Sequence, residues 1–280
     1  MERIRKIAVL LTCYNRREKT IACLKSLFRA SLPDRIKLEV FLVDDGSTDG
    51  TSEAVRDTFP SINIIQGTGS LFWNRGMHLA WETAAANSNF DCYMWLNDDV
   101  ILYKQALEVI LQSSKEKPDS IICGSMCSSN NKTLTYGGID ENHNLLEPSD
   151  VIQQCTRFNG NLLLVPDSVY KRIGNLDPKF PHAIGDFDYA NRAIKRGFKN
   201  YITPGFLGIC DEHDSLPIWC LSEVPLKKRI KALYSPLGNS HPYYFFYYER
   251  KNYSLGLAIK HFLTIHLRLL FPRLWKLKKN

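Results

Sequence analysis

Apolar runs that alternate with helix-like segments constrain the fold of this chain most strongly. The runs KIAVLL (residues 6–11) and LEVFLV (residues 38–43) are mainly apolar, which is typical of strands covered on both faces. Further strands are predicted over residues 62–65, 92–96, 121–123 and 159–166, and helices over residues 51–58, 77–86, 167–173 and 186–196. Strands that alternate with helices predict a mostly parallel sheet with helices on both faces.

Pairs of carboxylates follow two of these strands. Asp44 and Asp45 end the run LEVFLV, and Asp98 and Asp99 follow YMWL. Such residues also favour ordinary turns, which is the simpler interpretation. Adjacent carboxylates repel each other, however, and ligands of parallel sheets bind beyond the carboxyl ends of the strands. We therefore expect a ligand site here, in which Asp98 and Asp99 suit a hard divalent cation such as Mg²⁺ or Mn²⁺.

The first loop argues against two other kinds of nucleotide site. A dinucleotide-binding fold needs a glycine-rich turn after its first strand, but this turn is TCYNRR (residues 12–17). A nucleotidyltransferase would also need a glycine-rich loop at this position. The phosphate-binding motif GxxxxGK[ST] occurs nowhere in the sequence. A bound diphosphate would then need a metal ion and basic side chains.

Four motifs in order along the chain resemble the family 2 glycosyltransferases, whose fold is called GT-A. They are LLTCYNR, VDDGSTDGT, WLNDDV and AIGDFDYANRAIKRGF, and the resemblance spans roughly residues 6–213. GSLFWNRGMHLAW, LTYGG and FNGNLLLVP look like the branch with bacterial rhamnosyltransferase-like enzymes of surface-polysaccharide assembly. The resemblance implies an α/β fold with a GT-A-like, mostly parallel nucleotide-binding sheet flanked by helices.

The resemblance also implies roles for residues that bind the donor. Thr12 and Tyr14 would line the nucleoside pocket, with Tyr14 against the base. Asp45 would accept a hydrogen bond from the pyrimidine N3–H group, and Asp44 would support it. Asp98 would contact the ribose or the sugar.

Further residues are implied for the metal, the diphosphate and the catalytic base. Asp99 would ligate the metal, with His213 as a candidate further ligand, although a lone histidine is more often structural. Arg75 would meet the diphosphate or form a surface ion pair. Asp186 would be the base that takes the acceptor's proton, and Asp188 would cap or orient the helix. Trp73 would either wall the sugar pocket or belong to the core.

Two details depart from the family pattern. Gly185 stands where an acid usually precedes the catalytic base, so the base assignment depends on Asp186 alone, with Asp188 as the competitor. The segment QCTRF (residues 154–158) resembles the QxxRW motif of processive synthases but precedes the base. We therefore expect a non-processive enzyme.

The positive charge of the chain is concentrated at its C-terminal end. The formal net charge is +7, but residues 227–280 contain twelve Lys and Arg and one acid, Glu249. Aromatic residues and leucines are interleaved with these charges, which favours an anionic membrane surface over nucleic acid as a partner. The alternative is a solvated helix packed on the domain. The eight cysteines are scattered through apolar segments, which indicates reduced thiols and a cytoplasmic protein.

These observations combine into one expected function. We expect a GT-A-like domain over residues 1–220 and a basic, aromatic extension over residues 221–280. The enzyme would move a hexose or deoxyhexose from a UDP- or dTDP-sugar to a hydroxyl acceptor, with inversion and with Mn²⁺ or Mg²⁺. The acceptor would be a glycan, free or lipid-linked, at the cytoplasmic face of the cell membrane. A catalytically silent nucleotide-sugar-binding subunit of a glycan assembly complex is the alternative that Gly185 favours.

Overall fold

A mixed sheet of ten strands lies at the centre of the protein in a computed structural model, which describes residues 5–130, 132–212, 216–238 and 240–274. The strands of this sheet and of a small two-stranded sheet are β1 (Arg5–Cys13), β2 (Ile36–Asp44), β3 (Asn63–Gln66), β4 (Cys92–Leu96), β5 (Ile101–Leu102), β6 (Ile121–Cys127), β7 (Leu134–Tyr136), β8 (Gly138–Ile139), β9 (Gln153–Cys155), β10 (Arg157–Phe158), β11 (Leu162–Pro166) and β12 (Asn200–Ile209).

Helices cover the sheet and form most of the C-terminal segment. They are α1 (Arg17–Arg29), α2 (Thr51–Thr58), α3 (Phe72–Asn87), α4 (Ala106–Glu116), α5 (Asp167–Ile173), α6 (Gly185–Lys195), α7 (Leu226–Leu233), α8 (Pro242–Asn252) and α9 (Leu255–Leu270). A short 3-10 turn over Ile218–Cys220 precedes α7.

The strand order of the large sheet is β3-β2-β1-β4-β11-β6-β12-β5, with β7 beside β6 and β9 beside β12. The first four strands are parallel, and β11 is antiparallel to β4 and to β6. The predicted mostly parallel sheet with flanking helices is confirmed. The acidic turns after β2 and β4 lie at the same edge, since both flank β1 in parallel.

Strand β1 is buried on both faces, which explains why its sequence is apolar without interruption. Ile7, Val9 and Leu11 belong to the core layer that contains residues of α1 and α4. Ala8 and Leu10 belong to the opposite layer, which contains residues of α3 and α6. Helices therefore pack on both faces of the sheet, as the sequence predicts.

Some elements differ from the sequence prediction. Helix α3 begins at Phe72, five residues before the predicted start, so Trp73 and Asn74 lie in its first turn. Strand β12 is not among the predicted elements because Pro204 and Gly205 interrupt its apolar run. The register of β12 against β6 shifts there, between Ile202 and Phe206.

The C-terminal segment packs against the sheet domain. Helix α8 contacts α6, and α7 and α9 contact each other. No helix among the described residues is long and apolar enough to cross a bilayer. The division of the chain at residue 220 stays a prediction.

Candidate active site

The turn after β2 is built around the buried carboxylate of Asp44. One carboxylate oxygen accepts from the backbone N–H of Ser47 at 2.8 Å, and the other accepts from the Ser52 hydroxyl. Gly46 follows with φ +80° and lies against the backbone of Gly69, where an added Cβ would be 3.2 Å from the Gly69 Cα. The turn therefore needs glycine at residue 46, and it brings the β3–α3 loop beside the β2 edge.

Asp45 organises that neighbouring loop. Its carboxylate accepts backbone hydrogen bonds from Gly69 at 2.8 Å, Leu71 at 2.8 Å and Phe72 at 3.0 Å. Oδ2 accepts two of these hydrogen bonds and Oδ1 accepts one, so Oδ1 can accept a further hydrogen bond. Its contact with a pyrimidine base stays a prediction.

Asn15 joins the loops after β1 and β2. Its backbone N–H donates to the Ser47 hydroxyl at 2.9 Å, and its side-chain oxygen accepts from the Thr48 N–H at 2.7 Å. These contacts make the β1 and β2 edges one connected surface. Beside them, Thr12 is buried against Gly76 of α3, while the side chain of Tyr14 is 54% exposed. Their predicted nucleoside contacts stay predictions.

Arg16 bridges the two carboxylates that follow β4. Its guanidinium Nη1 lies 2.8 Å from Asp98 Oδ1 and 2.9 Å from Asp99 Oδ2. The Thr20 hydroxyl donates to the other Asp98 oxygen, and the Cys210 thiol donates to the other Asp99 oxygen. The carboxylate pair is thus held by a cation of the protein itself, which the sequence analysis did not identify.

Burial sets the electrostatics of this pair. Burial raises the pKa of Asp98 to about 6, while the Arg16 guanidinium opposes the rise and the Asp99 charge adds to it. The side chain of Asp99 is 19% exposed and that of Asp98 is 7% exposed. Asp99 is therefore the carboxylate that is more open to an incoming ligand.

The donor set fits a divalent cation that arrives with a substrate. Mg²⁺ and Mn²⁺ bind well to one or two carboxylates when substrate phosphates supply the remaining oxygens. Within the part of the chain that the structure describes, no group of three His, Cys, Asp or Glu side chains is placed to hold a metal ion. Asp98 and Asp99 therefore fit a metal ion whose remaining oxygen ligands come from a bound diphosphate. His213, the other predicted ligand, lies outside the described residues.

A pocket of about 270 Å³ reaches the end of β4 next to this carboxylate pair, although Asp98 and Asp99 do not line it. Asn97, the residue before Asp98, lines it together with Asn161 and with Asp186 of α6. Its aromatic lining is Trp73, Tyr136, Phe187, Phe245 and Tyr248. The predicted base and the end of β4 therefore face the same cavity, although they are far apart in sequence.

Asp186 lies in the first turn of α6 and is partly exposed to the pocket. Its carboxylate accepts from the backbone N–H of Phe187 at 2.9 Å and of Gly160 at 3.1 Å. Burial raises its pKa to about 6, and these backbone donors limit the rise. A carboxylate with such a pKa is ionised near pH 7 and is still basic enough to take a proton.

Gly185 is required by close packing against α3. A Cβ at residue 185 would lie 1.7 Å from the Asn74 side-chain oxygen. The Asn74 amide in turn donates to the carbonyls of Asp177 at 2.8 Å and Phe180 at 2.7 Å, which fixes the loop before α6. An acidic side chain at residue 185 would collide with Asn74, so the packing accounts for the glycine.

Asp188 joins α6 to α8 and does not cap its helix. Its side chain is fully buried, and its oxygens accept from Arg192 at 2.8 Å, Lys251 at 3.0 Å and Asn252 at 2.9 Å. The same Lys251 ammonium lies 2.7 Å from Asp177. Asp188 does not line the pocket, which argues against it as the catalytic base.

Trp73 and His182 are held together at the pocket. The Trp73 indole N–H donates to the Asn97 side-chain oxygen at 2.7 Å, and its backbone N–H donates to His182 Nδ1 at 3.4 Å. Trp73 also packs against Trp95, so it both lines the pocket and belongs to the core. Burial and the Arg16 charge lower the pKa of His182 to about 4, which keeps its imidazole neutral. The motif PHAIGD contains His182, but nothing in the sequence marked it.

Arg75 points to the loop before α6. Its Nε donates to the Pro178 carbonyl at 2.9 Å. The predicted contact of Arg75 with a diphosphate stays a prediction.

Solved structures similar to this fold are glycosyltransferases. The mannosyltransferase PcManGT from Pyrobaculum calidifontis, in complex with GDP-Man and Mn²⁺, superposes with a TM-score of 0.57 at 18% identity, over 96% of this chain and 70% of that one. S. aureus TarS 1–349, in complex with UDP, superposes with a TM-score of 0.54 at 15% identity, over 84% of this chain and 68% of that one. At these identities the likeness concerns the fold.

The sequence comparison identifies the family directly. No curated protein sequence matches the chain significantly. The sequence profile described as "Glycosyl transferase family 2" matches residues 8–172, more than half of the chain. This range contains most of β1, all of β2 and β4, and the acidic turns after β2 and β4. The protein is therefore a glycosyltransferase and belongs to glycosyl transferase family 2.

Proposed function

We propose that this enzyme transfers a hexose or deoxyhexose from a UDP- or dTDP-sugar to a hydroxyl group of a glycan acceptor. The transfer is inverting, metal-dependent and non-processive. The bound GDP-Man and UDP of the two structural neighbours support a nucleotide-sugar donor in general. The choice of UDP or dTDP and the role in bacterial surface-polysaccharide synthesis rest on the resemblance of the sequence motifs.

One observation carries the proposal: Asp186 and Asn97 line a single pocket. Asn97 directly precedes the carboxylate pair, so a donor bound there would place its sugar beside the Asp186 carboxylate. A single carboxylate facing the sugar suits direct displacement by an acceptor hydroxyl.

The chemistry divides between the two sides of the pocket. A divalent cation held by Asp99, with His213 as a proposed further ligand, would neutralise charge on the departing diphosphate. Asp186 accepts the proton of the acceptor hydroxyl, while the oxygen of that hydroxyl forms the new bond to the anomeric carbon. The bond from that carbon to the diphosphate oxygen breaks at the same time, and the configuration inverts. Asp98, Asp45 and Asp44 hold the donor and its loops.

The aromatic lining of the pocket supports a sugar acceptor. Phe187 and Tyr136 come from the sheet domain, whereas Phe245 and Tyr248 come from α8. Aromatic faces give a sugar ring apolar contact, and the neighbouring amides of Asn97 and Asn161 offer hydrogen bonds to its hydroxyls. We propose a glycan on a lipid carrier at the cytoplasmic membrane face as this acceptor.

The alternative is a catalytically silent nucleotide-sugar-binding subunit. The absence of an acid at residue 185 was its main support. The tight packing of Gly185 on Asn74 gives a structural reason for that absence, which weakens this support.

A donor-hydrolysis assay separates the enzyme from a silent subunit. UDP-, dTDP- and GDP-sugars are incubated with the protein and Mn²⁺, and released nucleoside diphosphate is measured with and without a glycan acceptor. Asp186→Asn should lower turnover by about 10²- to 10⁴-fold with donor affinity nearly unchanged. Asp140→Asn, a change in the loop after β8 and outside the pocket lining, serves as the control and should keep full turnover.

Two outcomes would contradict the proposal. Donor binding without release of nucleoside diphosphate, under every acceptor and metal condition, would favour the silent subunit. Unchanged turnover in Asp186→Asn would remove Asp186 as the base.

A further inference from the structure

Helix α7 leaves an apolar stripe exposed. Leu226, Ile230 and Tyr234 recur every fourth residue and are 40%, 42% and 45% exposed. A flanking side of the helix is fixed to α9, because Arg229 donates to the Leu269 carbonyl at 2.6 Å and is buried. The stripe therefore faces away from the protein on a helix that is firmly packed.

Helix α9 is apolar on two sides. Ala258, Ile265 and Leu269 are buried against the protein. The exposed apolar residues of α9 are Leu255, Ile259, Phe262, Leu263, Leu267 and Leu270. A surface helix of a water-soluble domain normally has one apolar side, which packs on the core, and a polar outer side. The second apolar side of α9 indicates a further apolar partner.

The two stripes meet and form one surface. The Tyr234 hydroxyl and His266 Nε2 are 2.8 Å apart, and the His266 ring lies 4.4 Å from the Phe262 ring. We call this surface, formed by the exposed apolar residues of α7 and α9 with Tyr234 and His266, the helical platform.

Positive charge surrounds the helical platform. Lys227, Lys228 and Lys231 of α7 and Lys260 of α9 are exposed. The one acidic residue in the sequence after Lys227 is Glu249, which is buried and paired with His261. A second copy of the chain would bring the same positive charge and be repelled. An anionic lipid surface matches both the apolar stripe and the lysines around it.

We propose that the helical platform docks the enzyme on an anionic membrane, with the apolar side chains of α7 and α9 inserted at the level of the lipid headgroups. The lysines hold the headgroup phosphates, and the apolar stripe enters the boundary of the acyl chains. Both helices would lie along the membrane surface in this arrangement.

The platform is connected to the pocket through α8. Phe246 of α8 packs edge-on against Phe262 of α9, and the neighbouring Phe245 lines the pocket. Docking therefore brings the pocket close to the membrane surface, where a lipid-linked acceptor would be presented. This last step rests on the proposed transferase function, whereas membrane docking itself does not.

Vesicle sedimentation tests the docking. Vesicles of phosphatidylcholine alone are compared with vesicles that also contain phosphatidylglycerol, at low and at physiological salt. The intact protein should sediment with the anionic vesicles, more strongly at low salt. Leu263→Glu should weaken this binding by about tenfold or more, because it replaces an apolar contact with a charge of the lipid's own sign. Val151→Glu is the matched control, since Val151 is 63% exposed and Leu263 is 61% exposed.

A second variant and two parallel measurements distinguish docking from misfolding and from self-association. Ile230→Glu on α7 should weaken binding like Leu263→Glu, and unchanged melting temperatures confirm that both variants are folded. Absence of anionic-vesicle binding by the intact protein at low salt would overturn the proposal, as would equal binding by Leu263→Glu. Self-association that Leu263→Glu abolishes, without vesicle binding, would assign the platform to a second copy. Donor hydrolysis without vesicles is measured in parallel, so failure of docking and failure of the transferase activity are distinguishable.

Discussion

Replacing Asp186 with Asn should stabilise the protein at high pH while it removes activity. The native pKa of Asp186 is about 6, above the ordinary value of 3.8, because burial disfavours the charged form of the carboxyl. The native state therefore binds this proton more tightly than the unfolded state does. Stability is lost as pH rises from about 4 through 6, and the loss is complete above that pH. Two pKa units correspond to about 3 kcal/mol, as an upper bound.

The stability of the Asp186→Asn variant does not fall with pH in this way, because the amide is neutral. The amide accepts hydrogen bonds from its neighbours less well than the carboxylate does. The amide has one oxygen to serve the N–H groups of Gly160 and Phe187, so one hydrogen bond is weakened at a cost of about 1 kcal/mol. The variant should be more stable than the parent by about 2 kcal/mol near pH 8. Near pH 4 it should have equal or lower stability, because the parent carboxyl is then protonated in the native state and most of the loss has not yet occurred.

Urea unfolding at the two pH values measures this difference, and steady-state turnover is measured on the same samples. Asp140→Asn is a control that should lower, not raise, the stability at high pH. The backbone N–H of Asn144 lowers the pKa of Asp140, so the charged carboxylate is favourable in the native state. Turnover of the parent should rise with pH through about 6 as Asp186 ionises. Equal destabilisation by Asp186→Asn at both pH values would refute the raised pKa of Asp186.

Three further changes test the rest of the site. Asp99→Asn should greatly weaken Mn²⁺-dependent binding of UDP or dTDP in calorimetry, and an unchanged metal dependence would contradict its role as ligand. Arg16→Met should tighten binding of Mn²⁺ alone, because the guanidinium no longer competes for the carboxylates; unchanged or weaker Mn²⁺ affinity would contradict this. Gly185→Ala should lower the free energy of unfolding by roughly 1–3 kcal/mol, since its Cβ collides with Asn74. Gly256→Ala, in open space on α9, is its control and should be neutral or stabilising.

The sequence predicts the parts of the fold that depend on local pattern. Strand β4 and helices α2 and α5 have their predicted bounds, since apolar runs and helical spacing are local signals. The start of α3 depends on a contact that is distant in sequence. Three backbone N–H groups at and before its first turn donate to the carboxylate of Asp45. Strand β12 escaped prediction because its pairing tolerates Pro204 and Gly205 at a shift in register.

The chemistry of the site could be predicted in kind but not in its contacts. Adjacent Asp98 and Asp99 indicated a cation, yet only the fold brings Arg16 to them across 82 residues of sequence. Gly185 looked like the loss of an acid, because the sequence does not show that Asn74 of another helix leaves no room for a side chain there. Asp188 lies in the first turn of α6 as expected, but the sequence does not show that its charge is balanced by Arg192 and by Lys251 of the C-terminal segment.

The contact between Asp188 and α8 has a consequence for engineering. Lys251 and Asn252 hold a buried carboxylate of α6, and Phe245 and Tyr248 complete the pocket. A chimera that exchanges the segment from Pro242 onward between relatives would therefore have to carry matching partners for residue 188. Such an exchange would move the α8 lining of the pocket together with the α9 half of the proposed helical platform, while the acidic turns of the sheet would stay with the recipient.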